Sequence, residues 1–180
     1  ETVQGIRNVI ELRQGSNILT GKIVISKVDA PYLAQTSQLM INLGFSTINL
    51  TFPHACGNAR KDFFDVVPTY TEISEPLLNA IELCMLSGVA VDTETIPYCF
   101  LPNVEHIAVE IAMMEAGYTE LKQYGFEEKV VDWSQKRLEI KQKFPQCSQC
   151  RFDRVCEGPW NEYPQHYGSE EFKPVFGEPV

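Results

Sequence analysis

Between Leu19 and Ser26 the sequence LTGKIVIS sets Ile23 and Ile25 against Lys22, Val24 and Ser26, the two-residue alternation of a half-buried strand. Beyond it, Asp29 is placed to cap a helix, with Pro31 in the first turn where a missing N–H costs nothing. Leu33, Leu39, Met40 and Leu43 follow at helical spacing, and Gly44 closes the segment. Ser46 to Phe52 (STINLTF) predicts a second strand, and Pro53 to Val67 a loop containing Cys56-Gly57-Asn58. A helix is expected from about Glu72 to Ser87, capped by Thr71 or Ser74 and closed by Gly88. Val89 to Ile96 (VAVDTETI) predicts a third strand.

The order is strand, helix, strand, helix, strand, which implies an α/β fold with a parallel sheet and right-handed crossovers. In such folds chemistry collects at the carboxyl ends of the strands, where Cys56 and Cys99 follow strands two and three. Three strands cannot close a barrel, so the sheet is either small and open or half of something larger. The remainder reads as mainly helical. Val104 to Ala116 carries Ile107, Ile111 and Met114 on one face, and a second helix runs from about Glu127 to Lys143, after a break at Tyr124-Gly125 and before Pro145. Two regions follow from this, 1–100 and 101–180.

Of the 180 residues, 44% are apolar, enough to bury a core, and no apolar run approaches the length of a membrane span. Fifteen Lys and Arg against 24 Asp and Glu leave a formal charge of −9, which argues against a nucleic-acid or anionic-membrane surface. The chain opens at Glu1 rather than Met, so a segment upstream of it is expected.

Cysteine placement changes the picture most. Cys147, Cys150 and Cys156 form a Cys-x2-Cys-x5-Cys loop, too tight for an extracellular disulfide framework. In a reducing compartment, the cytoplasm, such a cluster reads as a zinc or iron–sulfur site, and either needs a fourth ligand. Cys99, directly after Pro97-Tyr98 at the end of the third strand, is the best candidate. Cys56, two residues from His54, is the next; its Gly-bearing turn is otherwise an ordinary loop. Cys84, among Ile81, Leu83 and Leu86, reads as a buried thiol. His106 and His166 show no partner pattern. Asp92 and Glu94 share one face of the third strand, costly to bury unless paired or functional.

The succession GKIVISKVD, INLTFPHACGNA, VVPTYTEI, VDTETIPYC and CSQCRFDRVCEGPW resembles the C-terminal half of a radical S-adenosylmethionine (radical SAM) enzyme, of the branch with an auxiliary cluster in a SPASM/twitch-like extension. The resemblance spans roughly Gly5 to Val175. It implies that residues 1–100 are the C-terminal half of a partial (β/α) barrel and that 101–180 form a helical extension with the auxiliary cluster loop. It further implies that Cys99, Cys147, Cys150 and Cys156 bind one auxiliary [4Fe–4S] cluster, and that Gly57 and Asn58 fall where family members approach S-adenosylmethionine. Lys27 and Asp29 would lie on the same rim. Two departures stand out. The family's CxxxCxxC loop for the catalytic cluster is absent, and position 160, where a full SPASM pattern continues with Cys, holds Trp160. By this resemblance the intact protein would generate a 5′-deoxyadenosyl radical that abstracts hydrogen from a peptide or small-molecule substrate. Its N-terminal barrel half would come from the same or a separate chain. The alternatives are a structural zinc-binding module and an interaction subunit without catalysis.

Overall fold

A computed structural model describes residues 1–13, 18–115, 122–124 and 130–180. A helix, α1 (Thr2–Leu12), precedes the first strand, β1 (Thr20–Val24). Then come α2 (Leu33–Asn42), β2 (Thr47–Thr51), the one-turn helices α3 (Asn58–Lys61) and α4 (Phe63–Val66), the long α5 (Tyr70–Leu86) and β3 (Ala90–Glu94). The second half contributes α6 (Val109–Glu115), β4 (Lys122–Tyr124), β5 (Val130–Asp132), α7 (Trp133–Ile140) and α8 (Glu162–Tyr167). The fold is mixed α/β, with one three-stranded parallel sheet in the order β1-β2-β3.

That order has a consequence for the two faces. The crossover helices α2 and α5 pack against each other, so both lie on the same side of the sheet. Ile23, Ile48 and Leu50 point to that side and are buried. The opposite face carries two registered rows, Lys22–Asn49–Asp92 and Val24–Thr51–Glu94. Bonds run within and between those rows: Asn49 donates to Asp92 in its own row, while Lys22 pairs with Glu94 and the Thr51 hydroxyl donates to Asn49 across them. Parallel sheets ordinarily bury both faces under helices; among the described residues α2 and α5 share one face of this sheet, and the other carries a polar ladder. Among the described residues β1 has a neighbouring strand on one side only. Its Gly21 faces the core, where a Cβ would collide with the side chains of Met40 and Phe45.

Several boundaries differ from the sequence expectation for identifiable reasons. Asp29 sits at the N-cap position of a 3₁₀ turn, Ala30–Tyr32, that leads into α2, but its side chain makes no capping hydrogen bond; its carboxylate accepts the Ser26 hydroxyl instead. α5 starts at Tyr70, capped by Thr69 rather than Thr71 or Ser74. The Thr69 hydroxyl accepts the Glu72 N–H (3.0 Å) while the Glu72 carboxylate accepts the Thr69 N–H (2.7 Å). Ser74 turns back to donate to the Tyr70 carbonyl. Where a helix was expected from about Glu127, β5 instead pairs antiparallel with β4, because Val130 and Val131 favour extended backbone. α7 begins only at Trp133, directly after Asp132, whose carboxylate accepts the Gln135 N–H. Ala116, Gly125 and Glu127, which mark a helix end, a break and a helix start in the sequence, lie outside the described residues.

One contiguous core runs through both halves of the chain, from Ile23 to Phe172. Its centre is aromatic. Tyr70 stacks on Phe52 (4.0 Å between ring centroids) and on Phe100 (5.1 Å), and Tyr163 and Phe172 close over them. The C-terminal segment thereby shares one core with the parallel sheet.

The capping box makes a prediction. Thr69→Ala should cost about 1 kcal/mol, read as a lowered urea midpoint. Glu72 is held below the ordinary carboxylate range by the N–H it accepts from Thr69. Its contribution is therefore present above the unfolded value of 4.5 and lost as pH falls through the folded value. The stability difference between wild type and Glu72→Gln should narrow as the solution is acidified through that range. A constant difference would refute the ionised cap.

Candidate metal centre

The cysteine loop is shaped by its own backbone. Pro145 starts a 3₁₀ turn through Gln149, and the Cys147 and Cys150 N–H groups bond to the carbonyls of Phe144 and Cys147 (both 2.9 Å). The Cys156 N–H bonds to the Phe152 carbonyl at 2.8 Å. Two sulfurs accept backbone N–H groups: Cys147 from Phe144 and Cys150 from Val175, each at 3.4 Å. The tail from Phe172 onward lies along the loop, with the Arg151 N–H on the Val175 carbonyl.

Cys99 reaches the same place from the sheet. At the end of β3 the chain turns at Thr95, whose φ of 61° is rare for a β-branched residue. Three hydrogen bonds hold it there: its N–H to Glu110, its hydroxyl to the Phe52 carbonyl, and its carbonyl to the Tyr70 hydroxyl. Pro97 and a 3₁₀ turn at Tyr98–Phe100 then direct Cys99 away from the sheet.

Cys99, Cys147, Cys150 and Cys156 line one cavity of about 30 Å³, together with Tyr98, Phe144, Phe152 and Phe172. Phe152 is buried and meets Tyr98 edge-on at 5.4 Å. The thiols feel one another. Burial, and then the charges of Cys156, Cys150 and Cys147, push the Cys99 thiol up to about 12. Burial also raises Cys156, opposed by backbone hydrogen bonds from Tyr98 and Gly158 and by the charge of Lys141. Among the described residues no three His, Cys, Asp or Glu side chains are arranged to hold a single metal ion.

Beside this cavity lies a buried ionic group that sequence reasoning missed. Arg137 and Lys141 both bond to Glu157 at 2.7 Å and approach Glu110 at 3.4 and 3.6 Å. Burial alone would raise the Glu157 carboxyl, but Lys141 and Arg137 outweigh it and hold it low. The available signal was Glu110 itself, an acid inside the apolar run of α6.

A second cavity, about 210 Å³, opens at the carboxyl end of the sheet between Thr51, Glu94, Thr95, His54, Arg137 and Trp160. His54 stacks on Trp160 at 4.2 Å; burial lowers its pKa against the pull of Glu162. Gly57 and Asn58 lie outside both cavities, exposed at the start of α3. Cys56 is exposed in its loop and lines neither cavity, and Cys84 is buried in α5. Lys27 donates to the Phe64 carbonyl and pairs with Glu72, His106 is exposed, and His166 stacks on Phe63. Asp92 and Glu94 share the polar face, bound to Asn49 and Lys22.

No family model, curated protein or solved structure matches the chain.

Glu110 accepts from Thr95 and faces two buried cations. Glu110→Ala should therefore destabilise the protein by about 3 kcal/mol or more, measured by urea unfolding. Glu110→Gln retains the Thr95 bond and should cost less. Equal midpoints for wild type and Glu110→Ala would show that the ionic group contributes no stability.

Proposed function

We propose that this chain is the C-terminal part of a radical SAM enzyme and that Cys99, Cys147, Cys150 and Cys156 hold one auxiliary [4Fe–4S] cluster. The observation that carries the reading is that four thiols from two distant segments line a single cavity. The donor set is all sulfur, the preferred ligation of such clusters. Around a single zinc ion, four sulfurs would each stand about 2.3 Å from one point. Among the described residues no group of three or more His, Cys, Asp or Glu side chains is placed to hold a metal ion, so metal content decides between zinc and a cluster. A cubane cluster instead gives each thiolate its own iron at a separate corner, so its ligands stand farther apart.

The chain's own residues supply what a cluster requires. The Phe144 and Val175 N–H groups donate to the sulfurs of Cys147 and Cys150. Phe144, Phe152 and Phe172 give the cavity an aromatic lining. When bound, the cluster supplies a one-electron site. Thr95, bent and held by three hydrogen bonds, sets the direction in which Cys99 leaves the sheet.

Support for a half-barrel comes from the sheet. Both crossover helices lie on one face, as in a singly wound barrel, and Lys22, Asn49 and Asp92 lie on the face that would then turn inward. The outer side of β1 is where further strands would pair. Those strands, from the same or a separate chain, would bring the CxxxCxxC loop that this chain lacks. The intact protein would then cleave S-adenosylmethionine reductively and abstract hydrogen from a peptide or small-molecule substrate in the cytoplasm. Gly57 and Asn58 would approach S-adenosylmethionine from the loop after β2. Among the described residues no helix is long and apolar enough to cross a membrane.

Anaerobic reconstitution with iron and sulfide tests the reading. The chain should bind about four irons and four sulfides, with broad visible absorbance. Cys99→Ala should lower the iron to less than about one per chain and increase protease cleavage between residues 144 and 175. Cys84→Ala should leave iron unchanged. A colourless protein with one zinc would replace this reading with a structural zinc module.

A further inference from the structure

The buried ionic group beside the cysteine cavity is an unusual investment. Taking a lysine ammonium out of water is costly, and a hydrophobic replacement of similar volume is often at least as stable. Yet the Lys141 side chain is only 2% exposed. Its position is built with care. The backbone of Lys141 bridges to Trp160, and Gln142 and Asn161 add hydrogen bonds on either side. Gly158 makes that approach possible. With φ of +78° it lies against the Gln142 carbonyl, where any Cβ would collide. The segment carrying Cys156 is therefore held tightly against the segment carrying Lys141.

Lys141, Glu157, Glu110, Tyr98 and Cys156 all line one small cavity of about 10 Å³. The ammonium is 2.7 Å from Glu157, 3.6 Å from Glu110 and 4.8 Å above the Trp160 ring. With Arg137 counted, two cations face two carboxylates and the group is neutral. Removing any one charge would leave a net charge beside Cys156, in surroundings where Coulomb effects are weakly screened.

We propose that the buried Lys141–Glu157 pair sets the reduction potential of the cluster held by Cys99, Cys147, Cys150 and Cys156, with Lys141 keeping it high enough to accept an electron readily. The inference rests on the cluster reading. The equilibrium concerned is one-electron reduction of [4Fe–4S]2+ to [4Fe–4S]+. Cluster potentials follow the net charge, hydrogen bonding and exposure of the site. Lys141 places a positive charge near one ligand sulfur, which favours the more negative, reduced cluster. Lys141 is a positioning residue in this sense and ligates nothing.

The test is a redox titration of the full reconstituted chain, with dithionite as electron donor and the reduced cluster followed by electron paramagnetic resonance. Lys141→Met should raise the ratio of oxidised to reduced cluster at a fixed potential about tenfold, a midpoint lowered by about 59 mV for one electron. Glu157→Gln, close to isosteric, should shift the ratio by a similar factor in the opposite direction. Lys141→Arg keeps the charge and should stay within about twofold of wild type. Should Lys141→Met fail to retain iron, the Glu157→Gln and Lys141→Arg titrations still decide. Midpoints unchanged in Glu157→Gln, or moved in the same direction in every variant, would overturn the proposal. A wild-type chain that takes up zinc and no iron would instead overturn the cluster reading, and that result is visible in the metal content before any titration.

Discussion

The amino end of α5 holds the molecule together. A helix begins with backbone N–H groups that lack partners within it. Here the tail, far along the chain, supplies them. The Tyr163 hydroxyl accepts the Tyr70 N–H and donates to Glu171, and the same carboxylate accepts the Thr71 N–H and hydroxyl. Thr69 satisfies Glu72. Tyr163 is fully buried among Phe52, Tyr70 and Phe172, so the hydrogen bonds are made in a setting where an unmade one would be expensive. Burial, and then Glu171, keep the phenol protonated. The tail is thereby fixed at one end of α5, and the cysteine loop, tied to the tail at Val175, is fixed with it.

From that anchor the polar and apolar parts of the structure separate cleanly. Helices cover one face of the sheet and the polar ladder occupies the other. Tyr70 connects the two regimes: its backbone is held by the tail, its ring lies in the aromatic core, and its hydroxyl reaches the Thr95 carbonyl. Thr95 in turn is bonded to Glu110, which faces Arg137 and Lys141. A continuous set of contacts thus runs from the tail, through the end of β3, to the ionic group beside Cys156.

Much of this was legible in the pattern of residues. Alternation in LTGKIVIS and the β-branched run STINLTF gave strands at the right places, and crossover-length helices between them gave a parallel sheet. The cysteine spacing marked its loop, and the place of Cys99 after a strand marked the other wall of the cavity. What was not legible depends on contacts across long stretches of chain. Thr69 as the cap of α5 is a local feature that Thr71 and Ser74 obscured, since all three are good capping types. Glu171 and Tyr163 carry no local signal at all, because their partners are roughly a hundred positions away. The ionic group joins α6, α7 and the cysteine loop, and its members look like ordinary surface charges until those elements meet. The β4–β5 pair was hidden by charged neighbours that read equally well as helix.

The two walls of the cysteine cavity are made at different times during synthesis. Domains acquire structure progressively as the chain leaves the ribosome. The sheet, α5 and Cys99 emerge first, and the loop with Cys147, Cys150 and Cys156 well after them. Tyr163 and Glu171, which draw that loop into place, come later still. Until they dock, the amino end of α5 has unpaired N–H groups and the cavity has one wall. The wall of the cavity that carries Cys99 is therefore set before the wall that carries Cys147, Cys150 and Cys156, and docking of Tyr163 and Glu171 is the step that brings the two together.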